Sequence, residues 1–296
     1  MTLLSDKMKE VRTQIDSALD KLLPIPTVPE KRVVEAMRYA SIGGGKALRP
    51  LLLLSTAEMF AVPFEKSIRV AAALEMVHSY SLIHDDLPAM DNDDLRRGKP
   101  SCHKQFDEAT AILAGDGLLT RAFEVLAAEQ TPLDPAERCE LVVALGAAAG
   151  YRGMVGGQML DLMAEGDLEM MMPDVIRLQG QKTGRLLSFA CEAGAILGKA
   201  NFEERQALKN YAAHIGLSFQ ITDDILDVEG AVEKLGKNVR KDIDSHKVTF
   251  VSLIGVDAAK EKAKDLTRYA ISELKIFGER AEILRELAQF ILVRDH

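Results

Sequence analysis

The sequence predicts an all-α fold in a single domain, and three observations predict it. Nearly every long segment repeats its apolar residues at helical spacing, strict two-residue alternation is nearly absent, and the glycines and prolines gather between the helical stretches. Composition agrees, with 47% hydrophobic residues but only 5% aromatics and no Trp, a bias toward helix formers over strand formers. A chain of 296 residues can bury a large core. The expectation is one helical domain over residues 1–296, with helices packed around a central buried pair.

The elements follow in chain order. Around Arg32–Tyr39, the residues Val33, Val34, Ala36, Met37 and Ala40 make one apolar stripe. Ser67 to Leu87 is apolar nearly all round, the mark of a buried helix, and Pro88 should weaken or end it. Further helices fit Glu108–Gln130, Pro135–Tyr151, Met172–Leu197, Glu203–Val228, Ala258–Phe277 and Ala281–Arg294. Breaks fall at Pro24–Pro29, Gly43–Gly45, Pro132–Pro135 and Gly236.

A net charge of −8 argues against broad attraction to nucleic acid. Cys102, Cys139 and Cys191 are odd in number and widely spaced, so they offer neither a disulfide framework nor a CxxC metal pair. The first turns mix Asp6, Lys7, Lys9, Glu10 and Arg12, which is not a signal-peptide pattern, and no apolar run approaches bilayer length. The expectation is a cytoplasmic protein without membrane insertion.

Two acidic clusters carry the chemistry. His84 to Gly98 reads HDDLPAMDNDDLRRG, with Asp85, Asp86, Asp91, Asp93 and Asp94 crowded behind an apolar helix. Carboxylates so placed repel one another unless a cation joins them, and Mg²⁺ binds one or two carboxylates while completing its shell with phosphate oxygens and water. The second cluster, Asp223-Asp224-Ile225-Leu226-Asp227, sets Asp223 and Asp227 four apart on one helix face, a like-charge spacing that costs stability. One DDxxD alone could be a solvated turn. Two, both flanked by apolar helix, look like two walls of one metal site. An EF-hand over Asp91-Asn92-Asp93 fails, because its central Gly is missing and its twelfth position is Cys102.

Cations accompany both clusters. Arg96 and Arg97 follow the first, Lys237 and Lys247 the second; Lys46 and Arg49 sit beside Gly43-Gly44-Gly45, and Lys182-Thr183-Gly184 lies in a third helical region. Metal-bridging carboxylates with a cationic rim suit a diphosphate. Neither a Walker P-loop nor a GxGxxG after a strand is present, so a nucleotide is not indicated.

The stretches GGKALRP, VHSYSLIHDDLPAMDNDDLRRG, GMVGGQMLDL, QKTGRLLSFA and FQITDDILDV resemble, in this order, the trans-prenyl diphosphate synthases, with the bacterial farnesyl diphosphate synthases the nearest match. The resemblance implies a helical bundle around a central active-site cavity, several Mg²⁺ ions bound with the substrate diphosphate, and a homodimer. It implies condensation of isopentenyl diphosphate with dimethylallyl or geranyl diphosphate to give farnesyl diphosphate. Asp85, Asp91 and Asp223 match the leading metal ligands, with Asp86, Asp224 and Asp227 in support. Lys46, Arg49, His78 and Arg97 match the isopentenyl diphosphate site, and Arg96, Lys182 and Lys237 the allylic diphosphate site, with Lys247 a weaker match. Thr183 and Gln220 resemble groups that face the developing carbocation, and Asp161 one that orients Lys182. Tyr80, five residues before Asp85, matches the aromatic floor that limits product length.

The chain also departs from the family pattern. Ala47 stands where Arg is usual, and Arg240-Lys241-Asp242 and Lys247-Val248-Thr249-Phe250-Val251 replace the usual Gly-Ser-Asp and Lys-Ser-Thr-Tyr-Pro stretches. Those changes put the role of Lys247 in question. The alternatives are a geranylgeranyl diphosphate synthase and a non-catalytic partner subunit, although such subunits typically lose an aspartate motif. A class I terpene cyclase would carry a differently composed second motif.

Overall fold

A computed structural model describes residues 3–164, 169–235 and 248–294. Lys237, Lys247 and the Arg240-Lys241-Asp242 stretch lie outside the described residues. In order, the helices are α1 (Leu3–Leu22), α2 (Lys31–Ser41), α3 (Leu48–Met59), α4 (Phe64–Asp85), α5 (Cys102–Gln105), α6 (Glu108–Ala127), α7 (Pro135–Ala149) and α8 (Met154–Ala164). They continue with α9 (Met172–Gln179), α10 (Arg185–Leu197), α11 (Phe202–Leu235), α12 (Phe250–Ile254), α13 (Val256–Glu273) and α14 (Glu282–Val293). The fold is all-α, as the periodicity predicts. The strands among the described residues are two of two residues each, β1 (Leu95–Arg96) and β2 (Lys99–Pro100), paired antiparallel.

Main-chain proximity groups the chain into two compact units, Met1–Leu145 with Ala193–Ala200, and Gly146–Glu192 with Asn201–His296. In the first, α4 packs along α6. From Val70 to Val77 of α4 every apolar side chain is buried, which is why the helix carries no polar face. In the second, α11 packs along α13. Ile221 and Ile225 of α11 meet Phe250, Ala259, Ala263 and Leu266 in a core cluster. Thr249 caps α12 by accepting from Ser252 N at 3.2 Å, which fixes Phe250 at the start of that helix.

Beyond the short α5 and α12, three longer helices were not expected from the pattern. α1 buries a narrow seam of Leu4, Val11, Ile15 and Leu19 set among charged residues. α3 carries Pro50 in its first turn, where a missing N–H costs little. α8 runs through Gly156 and Gly157. The expected long helix over Met172–Leu197 is interrupted by a π-turn at Gly180–Gly184, and the expected α11 extends to Leu235.

Candidate active site

The first acidic cluster begins where α4 ends. Asp85 is the last helical residue, and the carbonyl end of a helix repels carboxylates. The chain then turns back, with Asp91 N donating to Asp85 O at 2.9 Å, which returns Asp91 to the backbone of Asp85. Asp91 is exposed and Asp85 half-buried, while Asp86 is buried. Burial raises the Asp86 carboxyl above its ordinary range, although Arg96 opposes this. Arg96 donates from Nε to Asp86 at 2.8 Å and from Nη2 to Asp93 at 3.0 Å, so it neutralises the cluster from within.

Arg96 and Arg97 flank a tight hairpin. Arg97 and Gly98 both have positive φ, 55° and 75°, the signature of a type I′ turn between β1 and β2. This aims the Arg97 side chain at the Gly43–Gly45 loop. A Cβ on Gly44 or Gly45 would collide with the Arg97 guanidinium, so only glycine permits that approach. Arg49 Nη1 lies 3.3 Å from His78 Nε2. Burial pulls the Arg49 guanidinium down to about 10, with Glu75 opposing and Arg97 reinforcing. Burial, then Arg49, Arg97 and Arg96, hold His78 well below its ordinary value of 6.5. Arg49 Nε is buried with no hydrogen-bond partner among the described residues, a donor suited to an anion. Lys46 is exposed at the start of this group. Ala47 is buried with φ 48°, so it adds nothing to the cationic rim.

Lys46, Arg49, His78 and Arg97 all lie in the first unit. Missing from the sequence reading were Glu75, a buried carboxylate three residues before His78, and Arg12 and Asp16 of α1. A lone charge amid AAALEM was the signal for Glu75.

In the second unit, Lys182 Nζ donates to Asp161 Oδ2 at 2.8 Å. Lys182 and Thr183 sit in the π-turn, an element that recurs at functional sites. A Cβ at Gly157 would collide with the Lys182 main chain, so glycine there brings α8 against the turn and Asp161 within reach. Asp223 and Asp227 share the solvent-facing side of α11, half-buried and exposed respectively. Asp224 points inward and accepts from Phe250 N at 2.9 Å. Its carboxyl is pushed up to about 6 by burial, with Asp227 and Asp223 adding and the Phe250 bond opposing. Gln220 lies half-buried on α11 one turn before Asp224. Tyr80 is buried in α4, its ring edge-on to His84 at 5.7 Å.

Among the described residues, no three His, Cys, Asp or Glu side chains gather closely enough to hold a metal alone. The donor chemistry nevertheless fits Mg²⁺, which takes hard oxygen ligands and asks for only one or two carboxylates when phosphate oxygens complete its shell.

The pattern of the polyprenyl synthetase family matches residues 30–287. The chain belongs to the polyprenyl synthetase family. Within that family it is 42% identical over 290 residues to a farnesyl diphosphate synthase of Geobacillus stearothermophilus, covering 98% of this chain and 97% of that one. A chloroplastic geranylgeranyl pyrophosphate synthase of Capsicum annuum is 41% identical over 289 residues, covering 97% of this chain and 78% of that one. The crystal structure of an FPP/GFPP synthase from Zymomonas mobilis superimposes with a TM-score of 0.90 at 47% identity, covering 98% of this chain and 99% of that one. The expected family, all-helical fold and prenyl-transfer activity are borne out.

Proposed function

We propose that this polyprenyl synthetase makes farnesyl diphosphate from isopentenyl diphosphate and dimethylallyl or geranyl diphosphate, with residues 1–296 acting as one catalytic domain. The observation that carries this reading is the order of groups along α4. A cationic nest centred on His78 and Arg49 precedes the acidic turn at Asp85–Asp91 by two helical turns, about 10 Å. α4 thus sets His78, beside the Arg49 cation of α3, two turns ahead of the carboxylates, which suits one diphosphate at each place with a five-carbon unit between them.

Asp85, Asp91 and Asp223, supported by Asp86, Asp224 and Asp227, would hold Mg²⁺. When bound, the metal would offset the charge that builds on the departing diphosphate. Arg96 and Lys182 add positive charge toward the same end, with Asp161 orienting Lys182. The allylic C–O bond breaks and its electron pair leaves with the diphosphate. The double bond of isopentenyl diphosphate, aligned by Lys46, Arg49, His78 and Arg97, then attacks the allylic cation. Loss of a proton to the released diphosphate completes the step, so no protein base is required. Thr183 and Gln220 face the cation, and Lys237 and Lys247 extend the allylic site. Tyr80 closes the end of the chain-growth channel, which favours a fifteen-carbon product.

We further propose a cytoplasmic homodimer. Tyr151, Val155, Met159 and Met163 expose a stripe at successive i+4 positions along the α8 segment, and this face supports pairing. No described helix is long and apolar enough to cross a membrane.

The test is incubation of the purified chain with Mg²⁺, dimethylallyl diphosphate and isopentenyl diphosphate, followed by product chromatography. Farnesyl diphosphate is expected. A twenty-carbon end product would favour the geranylgeranyl reading, and no product would favour a non-catalytic subunit.

A further inference from the structure

Arg12 of α1, Arg49 of α3 and Arg97 of the β1–β2 turn all act on one carboxylate, Glu75. Glu75 is 2% exposed in the apolar middle of α4. Arg12 Nη1 lies 3.5 Å from Glu75 Oε1 and donates to Gly44 O at 2.6 Å. Arg12 also pairs with Asp16, whose Oδ1 accepts from Gly43 N at 2.8 Å. The Gly43–Gly45 loop is therefore fastened from below by Arg12 and Asp16 and pressed from the side by Arg97. Three guanidiniums so close repel one another, and a buried acid among them is costly unless it is shared. Burial does raise the Glu75 carboxyl, while Arg12, Arg49 and Arg97 pull it down.

We propose that Glu75 is a positioning residue for isopentenyl diphosphate: it fixes Arg49 and Arg97 and, through Arg12, the loop leading to Lys46, as one rigid diphosphate-binding surface. This rests on the function proposed above. The competing role is a mere counterweight that keeps the three neighbouring arginines tolerable. The two roles differ in sign. Replacing a counterweight by a neutral group adds net positive charge, so an anionic substrate binds as well or better while stability falls. Replacing a positioning group loosens the arginines, so that substrate binds worse whatever the charge.

Steady-state kinetics on the full chain separate them. For Glu75→Gln, KM for isopentenyl diphosphate should rise about tenfold, with kcat and KM for geranyl diphosphate within about twofold. Glu75→Asp should recover part of the loss. An unchanged or lower KM for isopentenyl diphosphate, or an equal loss with both substrates, overturns the proposal. Should Glu75→Gln fail to fold, Arg12→Lys decides, because it keeps the charge and loses the guanidinium that joins Gly44 O to Glu75. A smaller rise confined to isopentenyl diphosphate supports positioning, and no rise overturns it. A wild-type chain without prenyl transfer overturns the functional reading and this inference together. An active wild type with unmoved KM values in the variants overturns the inference alone.

Discussion

Arg294, just beyond α14, donates to the Asp223 carboxylate at 2.6 Å and to Phe219 O at 3.0 Å, with its guanidinium 3.7 Å above the Phe219 ring. A cation at the end of α14 thus occupies a carboxylate proposed for metal binding. Burial lowers the Arg294 pKa, with Asp223 opposing, and the guanidinium stays charged in either case. The contact satisfies Asp223 Oδ1, and a metal bound at Asp223 as proposed would compete with it.

Arg294→Ala should therefore tighten divalent metal binding to the substrate-free protein by about threefold to tenfold, read by Mn²⁺ titration with electron paramagnetic resonance. It should also lose about 1 kcal/mol of stability with the cation–π contact. Unchanged Mn²⁺ affinity would show that Arg294 does not compete for Asp223.

Tyr80→Ala removes the proposed floor. Tyr80 lies five residues, about 7.5 Å of helix, before Asp85, with its hydroxyl pushed up to about 12 by burial. The substitution should extend the main product from fifteen to twenty carbons, seen by chromatography of dephosphorylated products. A core cavity of that size costs roughly 3–5 kcal/mol, so the assay belongs well below the melting temperature. Products of unaltered length would mean that Tyr80 only fills the core.

Asp161→Asn tests the Lys182 assignment. The amide keeps the shape but loses the charge that holds the ammonium at 2.8 Å. A fall in kcat of about tenfold is expected, with KM for isopentenyl diphosphate little changed, because Lys182 is assigned to the allylic diphosphate. A rise in KM for isopentenyl diphosphate alone would place Lys182 in the other site.

Much of this was legible because the aspartates stand against apolar helix at fixed points, at the end of α4, which is apolar nearly all round, and in the apolar run of α11 around Phe219 and Ile221. The Asp161–Lys182 pair could be anticipated by resemblance, and the structure supplies the contact. Other features had no linear signal. α1 presents a one-residue-wide seam among charges, and nothing in the linear pattern says that glycine at 157 lets α8 approach Lys182. The hairpin that turns Arg97 toward the glycine loop depends on a positive φ at an arginine, which no propensity predicts. Arg12 lies 63 residues from Glu75, and only tertiary packing joins them.

Acid stability should depend on His78. Its folded pKa is well below 6.5 because burial and then Arg49, Arg97 and Arg96 disfavour the imidazolium. Between the folded value and 6.5 the unfolded chain binds a proton that the folded protein does not. Stability therefore rises with pH through that window and is lost as pH falls below about 6.5, by up to ~1.4 kcal/mol per pH unit. His214 is lowered too, chiefly by burial with Glu273 opposing, and adds in the same direction. The carboxyls of Asp224, Asp86 and Glu75, raised by burial, act the other way, so the measurement is a difference. In thermal melts from pH 7.5 to 5, His78→Gln should lose less stability on acidification than the wild type. An equally steep slope in the variant would mean that His78 is protonated in the folded protein, and its 3.3 Å contact with Arg49 could not then persist as drawn.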